Sequence, residues 1–220
     1  MSDRDEAVAR LRKLDVCAVS DALDKLGLGS VVTGVPQQSG TARVAGRAVT
    51  MKLGIGDPPP GPPRHLGTTA IEASGPDDVI VIEQRTGREA GSWGGLLSLG
   101  AQVRGVAGVV CDGPVRDIDE ARGFDFPIFT RTFTARTARG RIVEQGTNVP
   151  VVFEGVRVEP GDYVLADNSA IVFIRASEIG QVLAAAEDIV SREAAMARAI
   201  RSGTPISAVM GGAYEQMLIR

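Results

Sequence analysis

Apolar runs and helical stripes alternate through the middle of the chain. Residues 78–83 (DVIVIE) and 106–111 (VAGVVC) are nearly continuous apolar runs, which are typical of buried strands. Between them, residues 92–104 carry apolar side chains at helical spacing, with Ser92 as the candidate N-cap. This order predicts parallel strands joined by helices, as in an α/β fold.

The flanking regions predict the rest of the fold. Residues 41–53 and 127–135 (PIFTRTFTA) are expected to form strands, and a short helix is expected from Ser20 to Gly27. Antiparallel hairpins are predicted over 151–158 and over 163–174, followed by the longest helix over 176–201. No linker divides the chain, so we expect one α/β domain over 1–220 with mixed sheets, an N-terminal helical segment over 1–19 and a C-terminal tail over 204–220.

Composition excludes several classes of function. The net charge is −3, without the basic excess expected of a protein that binds nucleic acid or an anionic membrane. One His and two Cys exclude a multi-His zinc site and a disulfide framework, and we expect Cys17 and Cys111 to be small buried apolar residues. We find neither a secretory signal nor a membrane-spanning run, which makes the cytoplasm the expected location.

The turn DGPVRD, residues 112–117, is the sharpest candidate for chemistry. It follows an apolar strand directly, and ligands of α/β sheets bind beyond the carboxyl ends of the strands. Arg116 offers a planar fork that suits a carboxylate, and Asp117 offers a hard oxygen ligand for a divalent cation. Together they could hold a 2-oxo acid and a metal. Alternatively, the segment is a plain turn with a solvated arginine and an acidic residue in the first turn of a helix.

The predicted start of the 92–104 helix is a second candidate. Gly94 and Gly95 leave the backbone open, and the N–H groups of Gly95, Leu96 and Leu97 would lack partners within the helix. Such a helix start can bind an anion. Close packing of the helix on a sheet explains the glycines equally well.

Four single residues have weaker functional interpretations. Lys52 could form a Schiff base with a keto substrate, but no second feature supports it. His65 could act as a general base, although its polar, proline-rich neighbours favour a surface or capping role. Glu193 fits a solvated helix face, and Trp93 fits packing better than binding.

Residues 93–117 (WGGLLSLGAQVRGVAGVVCDGPVRD) resemble the 4-hydroxy-4-methyl-2-oxoglutarate aldolase family, which shares its fold with the regulator of ribonuclease E activity. The segments 19–27, 44–52, 160–174 and 191–203 support the resemblance, which covers about 20–203. It implies an α/β/β/α sandwich of the swivelling-domain kind. It also implies a homotrimer or a dimer of trimers, with sites at the subunit contacts.

The resemblance further implies a class II aldolase that uses Mg²⁺ or Mn²⁺. In that family pattern Arg116 binds the oxo acid and Asp117 holds the metal. The backbone N–H groups of Leu96 and Leu97 bind the pyruvate carboxylate, and Glu193 reaches the metal's water shell from a neighbouring subunit.

One position departs from the family pattern. Aldolases of the family often carry an acidic residue where this chain has Gly95. The expected function is therefore a metal-dependent lyase that releases pyruvate from a 2-oxo acid, as an aldolase, an oxaloacetate decarboxylase or both. The alternative is a non-catalytic, regulator-like protein that binds and inhibits a protein partner.

Overall fold

The computed structural model describes residues 3–211, which hold seven helices and eleven strands. The helices are α1 (Asp3–Leu11), α2 (Val16–Leu26), α3 (Thr68–Ala73), α4 (Gly95–Val103), α5 (Ile118–Gly123), α6 (Ile179–Arg201) and α7 (Ile206–Val209). The strands are β1 (Val31–Val32), β2 (Gln37–Ser39), β3 (Val44–Gly54), β4 (Asp78–Gln84), β5 (Gly108–Cys111), β6 (Ile128–Phe129), β7 (Val143–Thr147), β8 (Val151–Phe153), β9 (Val156–Val158), β10 (Tyr163–Ala166) and β11 (Ile171–Ile174). No helix within residues 3–211 is both long and apolar enough to cross a membrane.

Nine of the strands form one mixed sheet in the order β1-β11-β10-β3-β4-β5-β6-β2, with β7 paired to β3 off this path. Strands β3, β4, β5 and β6 are parallel neighbours. Strands β10 and β11 are antiparallel to each other, and β10 is antiparallel to β3. The expected parallel middle and antiparallel later half are therefore confirmed. Strands β8 and β9 form a separate hairpin.

The period-2 alternation along the strands gives the sheet two buried faces. On β4, Ile80 and Ile82 pack into a core with α3, α4 and α5, whereas Val79 and Val81 point into a second core on the opposite face. On β10, Leu165 packs against the layer of α1, α2 and α6, and Val164 joins the same second core as Val79.

This second core lies between the two halves of the curled sheet. It also takes in Phe153 and Val158 from the β8–β9 hairpin. Helices therefore cover both outer faces, and the layers run α/β/β/α, which confirms the expected fold.

Several predicted boundaries move. Helix α2 begins at Val16 rather than at Ser20, because the Asp15 carboxylate caps it by accepting from the N–H of Ala18 at 2.9 Å. Its end at Gly27, with φ of 70°, is as expected. Of the strand predicted over 127–135 only Ile128–Phe129 forms.

The two cysteines differ in burial, and part of the C-terminal tail is helical. Cys17 is exposed, contrary to expectation, because it lies on the outer side of α2, whereas Cys111 is buried as expected. The tail forms α7 and continues to Gly211, and its remaining residues lie outside the described range.

Candidate active site

A cavity of about 210 Å³ opens at the carboxyl ends of β4 and β5. It is lined by residues 65–66, 93–97, 116–117 and 137–138, together with Gly91. Two of these stretches meet here because β4 and β5 are parallel neighbours, and the segments that follow them leave the same edge of the sheet. The backbone N–H of Arg116 donates to the Trp93 carbonyl at 3.0 Å and fixes the two segments side by side.

Arg116 lies across two glycines. A Cβ on Gly91 would stand 2.9 Å from the Cδ of Arg116, and a Cβ on Gly94 would stand 3.3 Å from its Cγ. Side chains at either position would crowd the arginine stem. The glycines therefore leave room for the stem, while 36% of the Arg116 side chain remains exposed.

Asp117 adopts an unusual backbone conformation for a residue with a side chain. Its φ of 55° and ψ of 35° lie in the left-handed region, where aspartate is one of the few tolerated non-glycine residues. Asp117 is the N-cap residue of α5, but its side chain makes no capping hydrogen bond there. Instead, Asp117 Oδ2 accepts from the N–H of Gly95 at 3.2 Å and lies 3.2 Å from Arg116 Nε. The carboxylate thus faces the start of α4.

Helix α4 begins at Gly95, not near Ser92 as predicted. Ser92 is fully buried, and its N–H donates to the Pro114 carbonyl, which keeps this segment extended beside the DGPVRD turn. Gly94 is the N-cap residue.

The position of the helix start changes the expected anion site. The N–H groups of Leu96 and Leu97 belong to the first turn, where no carbonyl of the same helix can accept from them. The N–H of Gly95, the third expected donor, is taken by Asp117. Of the three expected N–H donors, those of Leu96 and Leu97 therefore remain available to bind an anion.

The sequence analysis missed Glu120. Its Cδ lies 2.6 Å from the place where a Cβ on Gly95 would stand, and its carboxylate fills that space. The start of α4 therefore has a second carboxylate beside Asp117, although position 95 itself has no side chain. The spacing of three from Asp117 was visible in the sequence, but the contact between the first turn of α5 and the start of α4 was not.

Of the remaining candidates, His65 and Trp93 line the cavity and Lys52 does not. His65 lines the cavity, and its Nδ1 lies 2.8 Å from the Leu66 carbonyl oxygen. Trp93 packs, as expected: it is buried, and its Nε1 donates to Ser98 Oγ at 3.0 Å. Lys52 lies elsewhere, with its Nζ 3.9 Å from Glu83 Oε1, which removes support for a Schiff-base role in this cavity.

Glu193 is not brought to the cavity by its own chain. It lies on α6, in the other helical layer, which packs in a different core from α4. Burial raises the pKa of its carboxyl, and the negative charges of Asp15 and Asp21 raise it further. Its expected role therefore requires a second copy of the chain.

The cavity offers a divalent cation only part of a coordination shell. The described residues contain no cluster of three or more His, Cys, Asp or Glu side chains able to hold a metal ion. Asp117 and Glu120 do supply two hard oxygen donors at the start of α4. Mg²⁺ is commonly bound in this way, through one or two carboxylates, with waters and substrate oxygens completing its shell. The residues therefore fit a cation that binds together with a substrate.

Residues 16–173 match the family described as RraA-like, Aldolase/RraA. The chain belongs to this RraA-like family. A Halalkalibacterium halodurans relative named "putative 4-hydroxy-4-methyl-2-oxoglutarate aldolase" is 30% identical over 198 residues, covering 88% of each chain.

Two solved structures share the RraA-like fold. An uncharacterized protein from Pseudomonas syringae has a TM-score of 0.82 at 27% identity, covering 94% of this chain and 98% of that one. Streptomyces coelicolor RraAS2, described as an unusual member of the RNase ES inhibitor RraA protein family, has a TM-score of 0.73 at 26% identity, covering 86% and 93%. The RraA-like match spans the whole cavity but ends before Glu193.

Proposed function

We propose that this protein is a divalent-metal-dependent lyase that cleaves a C–C bond of a 2-oxo acid and releases pyruvate. The reaction would be that of a 4-hydroxy-4-methyl-2-oxoglutarate aldolase, of an oxaloacetate decarboxylase, or of both. The observation that carries the proposal is the meeting of Arg116, Asp117 and the first turn of α4 in one cavity.

Arg116 and the start of α4 account for binding of the acid. The guanidinium of Arg116 can form a bidentate pair with a carboxylate, and the N–H groups of Leu96 and Leu97 add donors at the positive end of the helix. A volume of about 210 Å³ suits a small acid rather than a large cofactor.

Asp117 and Glu120 would hold Mg²⁺ or Mn²⁺. Such a cation, when bound, withdraws electrons from the keto group of the substrate. Arg116 would stabilise the negative charge of the pyruvate enolate, which both aldol cleavage and decarboxylation leave behind. One arrangement of residues therefore serves both reactions.

Association of several copies is a part of the proposal. Leu96, Leu99 and Val103 form an apolar stripe on the outer side of α4, with 83%, 41% and 79% of each residue exposed. Apolar residues that repeat along one helix face favour burial against a partner. We propose that a homotrimer, or a dimer of trimers, covers this stripe and brings Glu193 of one copy toward the cavity of another.

A second candidate function is supported by the description of the Streptomyces relative as belonging to a family of ribonuclease inhibitors. In that case, the exposed α4 stripe would bind a different protein, and the cavity would carry no reaction. The paired Arg116 and Asp117 side chains favour the lyase, because inhibition of a partner needs no such pair at the base of a cavity.

The deciding experiment measures pyruvate release from oxaloacetate and from 4-hydroxy-4-methyl-2-oxoglutarate. We expect release with Mg²⁺ or Mn²⁺ and none in excess chelator. Arg116→Lys should lower kcat/KM by roughly 10- to 100-fold, because an ammonium group cannot reproduce the bidentate fork. Arg157→Lys, which changes an exposed arginine of β9 ion-paired to Glu159, is the matched control. Full turnover without metal would overturn the metal-dependent reaction, and no turnover with any cation would favour the regulator.

A further inference from the structure

His65 is one of the residues that line the cavity that the proposed lyase reaction would use. It is the one histidine of the chain, and it lines the cavity together with Arg116 and Asp117. We propose that His65 is a catalytic residue that takes the proton from the C4 hydroxyl during aldol cleavage. This inference rests on the proposed function, and it adds the proton acceptor that the reaction requires.

The other polar side chains lining the cavity are poor proton acceptors. Arg116 is permanently protonated. Asp117 is already engaged by the N–H of Gly95 and by Arg116, and it is the proposed metal ligand. The Thr137 hydroxyl accepts from the N–H of Arg139 at 3.3 Å, and a hydroxyl is not a base near neutral pH. Glu120 is the other proposed metal ligand, and Glu193 does not reach the cavity of its own chain. Among the described residues that line the cavity, His65 remains.

The surroundings of His65 fix which ring nitrogen is basic. Its Nδ1 lies 2.8 Å from the Leu66 carbonyl oxygen, which can only accept a hydrogen bond. Nδ1 must therefore carry the proton, and Nε2 keeps its lone pair in the neutral ring. His65 is exposed, so its ring is open to water and to a substrate that enters the cavity.

Two tethers hold the backbone around His65. The His65 carbonyl accepts from the Thr68 hydroxyl at 2.8 Å, and the N–H of Gly67 donates to Glu144 Oε2 at 2.7 Å. Pro62 and Pro63 restrict the chain on the other side. These contacts restrain the backbone that carries the ring, although it lies in a surface loop.

The proposed step balances without an oxidant or reductant. Nε2 of His65 takes the hydroxyl proton from C4 of the substrate as the C3–C4 bond breaks. The bonding electron pair moves to the pyruvate fragment, which leaves as the enolate, while C4 becomes a carbonyl. The imidazolium then returns a proton to C3 of the enolate, directly or through water, and pyruvate forms. Decarboxylation of oxaloacetate has no hydroxyl proton to remove.

The test compares the two reactions in one variant. In His65→Asn, the amide nitrogen can still donate to the Leu66 carbonyl, but no base remains. A positioned base contributes about 10²–10⁴-fold, so the ratio of aldolase kcat to decarboxylase kcat should fall by at least about 100-fold. Thr68→Val, which removes one tether of the loop, is the control for a structural role and should lower both reactions together.

Chemical modification gives a second readout. Diethyl pyrocarbonate would modify one histidine in this chain, so its histidine signal reports on His65 alone. Pyruvate with Mn²⁺ should slow the modification, because the proposal places His65 beside the bound acid. An unchanged rate would contradict that placement.

Three outcomes would overturn the assignment. They are an unchanged ratio in His65→Asn, equal losses in both reactions, and decarboxylation without any aldol cleavage by the wild-type protein. If the wild-type protein releases no pyruvate from either substrate, the proposed function fails, and the role of His65 fails with it.

Discussion

Asp112, at the other end of the DGPVRD turn from Asp117, should make the stability of the protein depend on pH. Its Oδ1 accepts a hydrogen bond from the N–H of Gln84. Burial and, to a smaller extent, the negative charges of Glu154 and Glu83 raise the pKa of the Asp112 carboxyl from 3.8 to about 7. The Gln84 hydrogen bond and the positive charge of Arg85 oppose this shift but do not cancel it.

The sign of the effect follows from the raised pKa. Below pH 3.8, Asp112 is protonated in both the folded and the unfolded chain, and its contribution to stability is complete. Between that pH and about 7, only the folded chain keeps the proton, so the free energy of unfolding falls as the pH rises. The slope approaches about 1.4 kcal/mol per pH unit, and the full interval corresponds to about 4 kcal/mol.

The variant Asp112→Asn isolates this contribution. Asparagine keeps an oxygen acceptor for the Gln84 N–H but cannot ionise. Urea unfolding of both proteins from pH 4 to pH 8 gives the difference in their free energies of unfolding, in which the other titrating groups cancel. We expect the free energy of unfolding of the variant, relative to that of the wild type, to rise by a few kcal/mol as the pH increases from 4 to 8. A difference that does not change with pH would show that Asp112 is not held protonated by its surroundings.

Two further variants test the start and the outer face of α4. Gly95→Ala places a Cβ where the Glu120 carboxylate lies, so it should raise the Mn²⁺ concentration for half-maximal activity by roughly 10-fold. Glu120→Gln should raise that concentration too. An unchanged Mn²⁺ requirement in both variants would exclude Glu120 from the metal site. Val103→Lys puts a charge on the exposed apolar stripe and should reduce the mass measured by light scattering toward the 23.0 kDa monomer. The control Ile55→Lys, at an exposed apolar residue of a loop, should leave the mass unchanged. A monomeric wild-type protein would refute association through α4.

The fold was predictable where one pattern dominated. The apolar run of β4 and the long stripe of α6 have one reasonable interpretation each, and both elements form. The predicted start of α2 was wrong because aspartate and serine are both good N-cap residues, and the choice of Asp15 over Ser20 depends on packing. Strand β7 is held by its pairing with β3 and has no alternation of buried and exposed residues. Its residues (VEQGT) therefore show no pattern that would predict a strand.

Within the candidate site, proximity was predictable only for residues that are adjacent in sequence. Arg116 and Asp117 share one turn, and that turn follows a buried strand. The placement of His65 and Glu120 depends on how the loop before α3 and the first turn of α5 meet α4. Periodicity within one element carries no information about such contacts between elements.

Strand β3 belongs to both halves of the molecule. It pairs with β10 through Val44–Arg47 and with β4 through Arg47–Leu53. Its odd-numbered residues serve two helical layers in turn, with Ala45 packed beside α1, α2 and α6, and Met51 packed beside α3, α4 and α5. A slip of one residue would turn both sets of side chains away from their cores at once. Loss of the β3 register would therefore disrupt both helical layers together, and the cavity at the start of α4 depends on helices that do not line it.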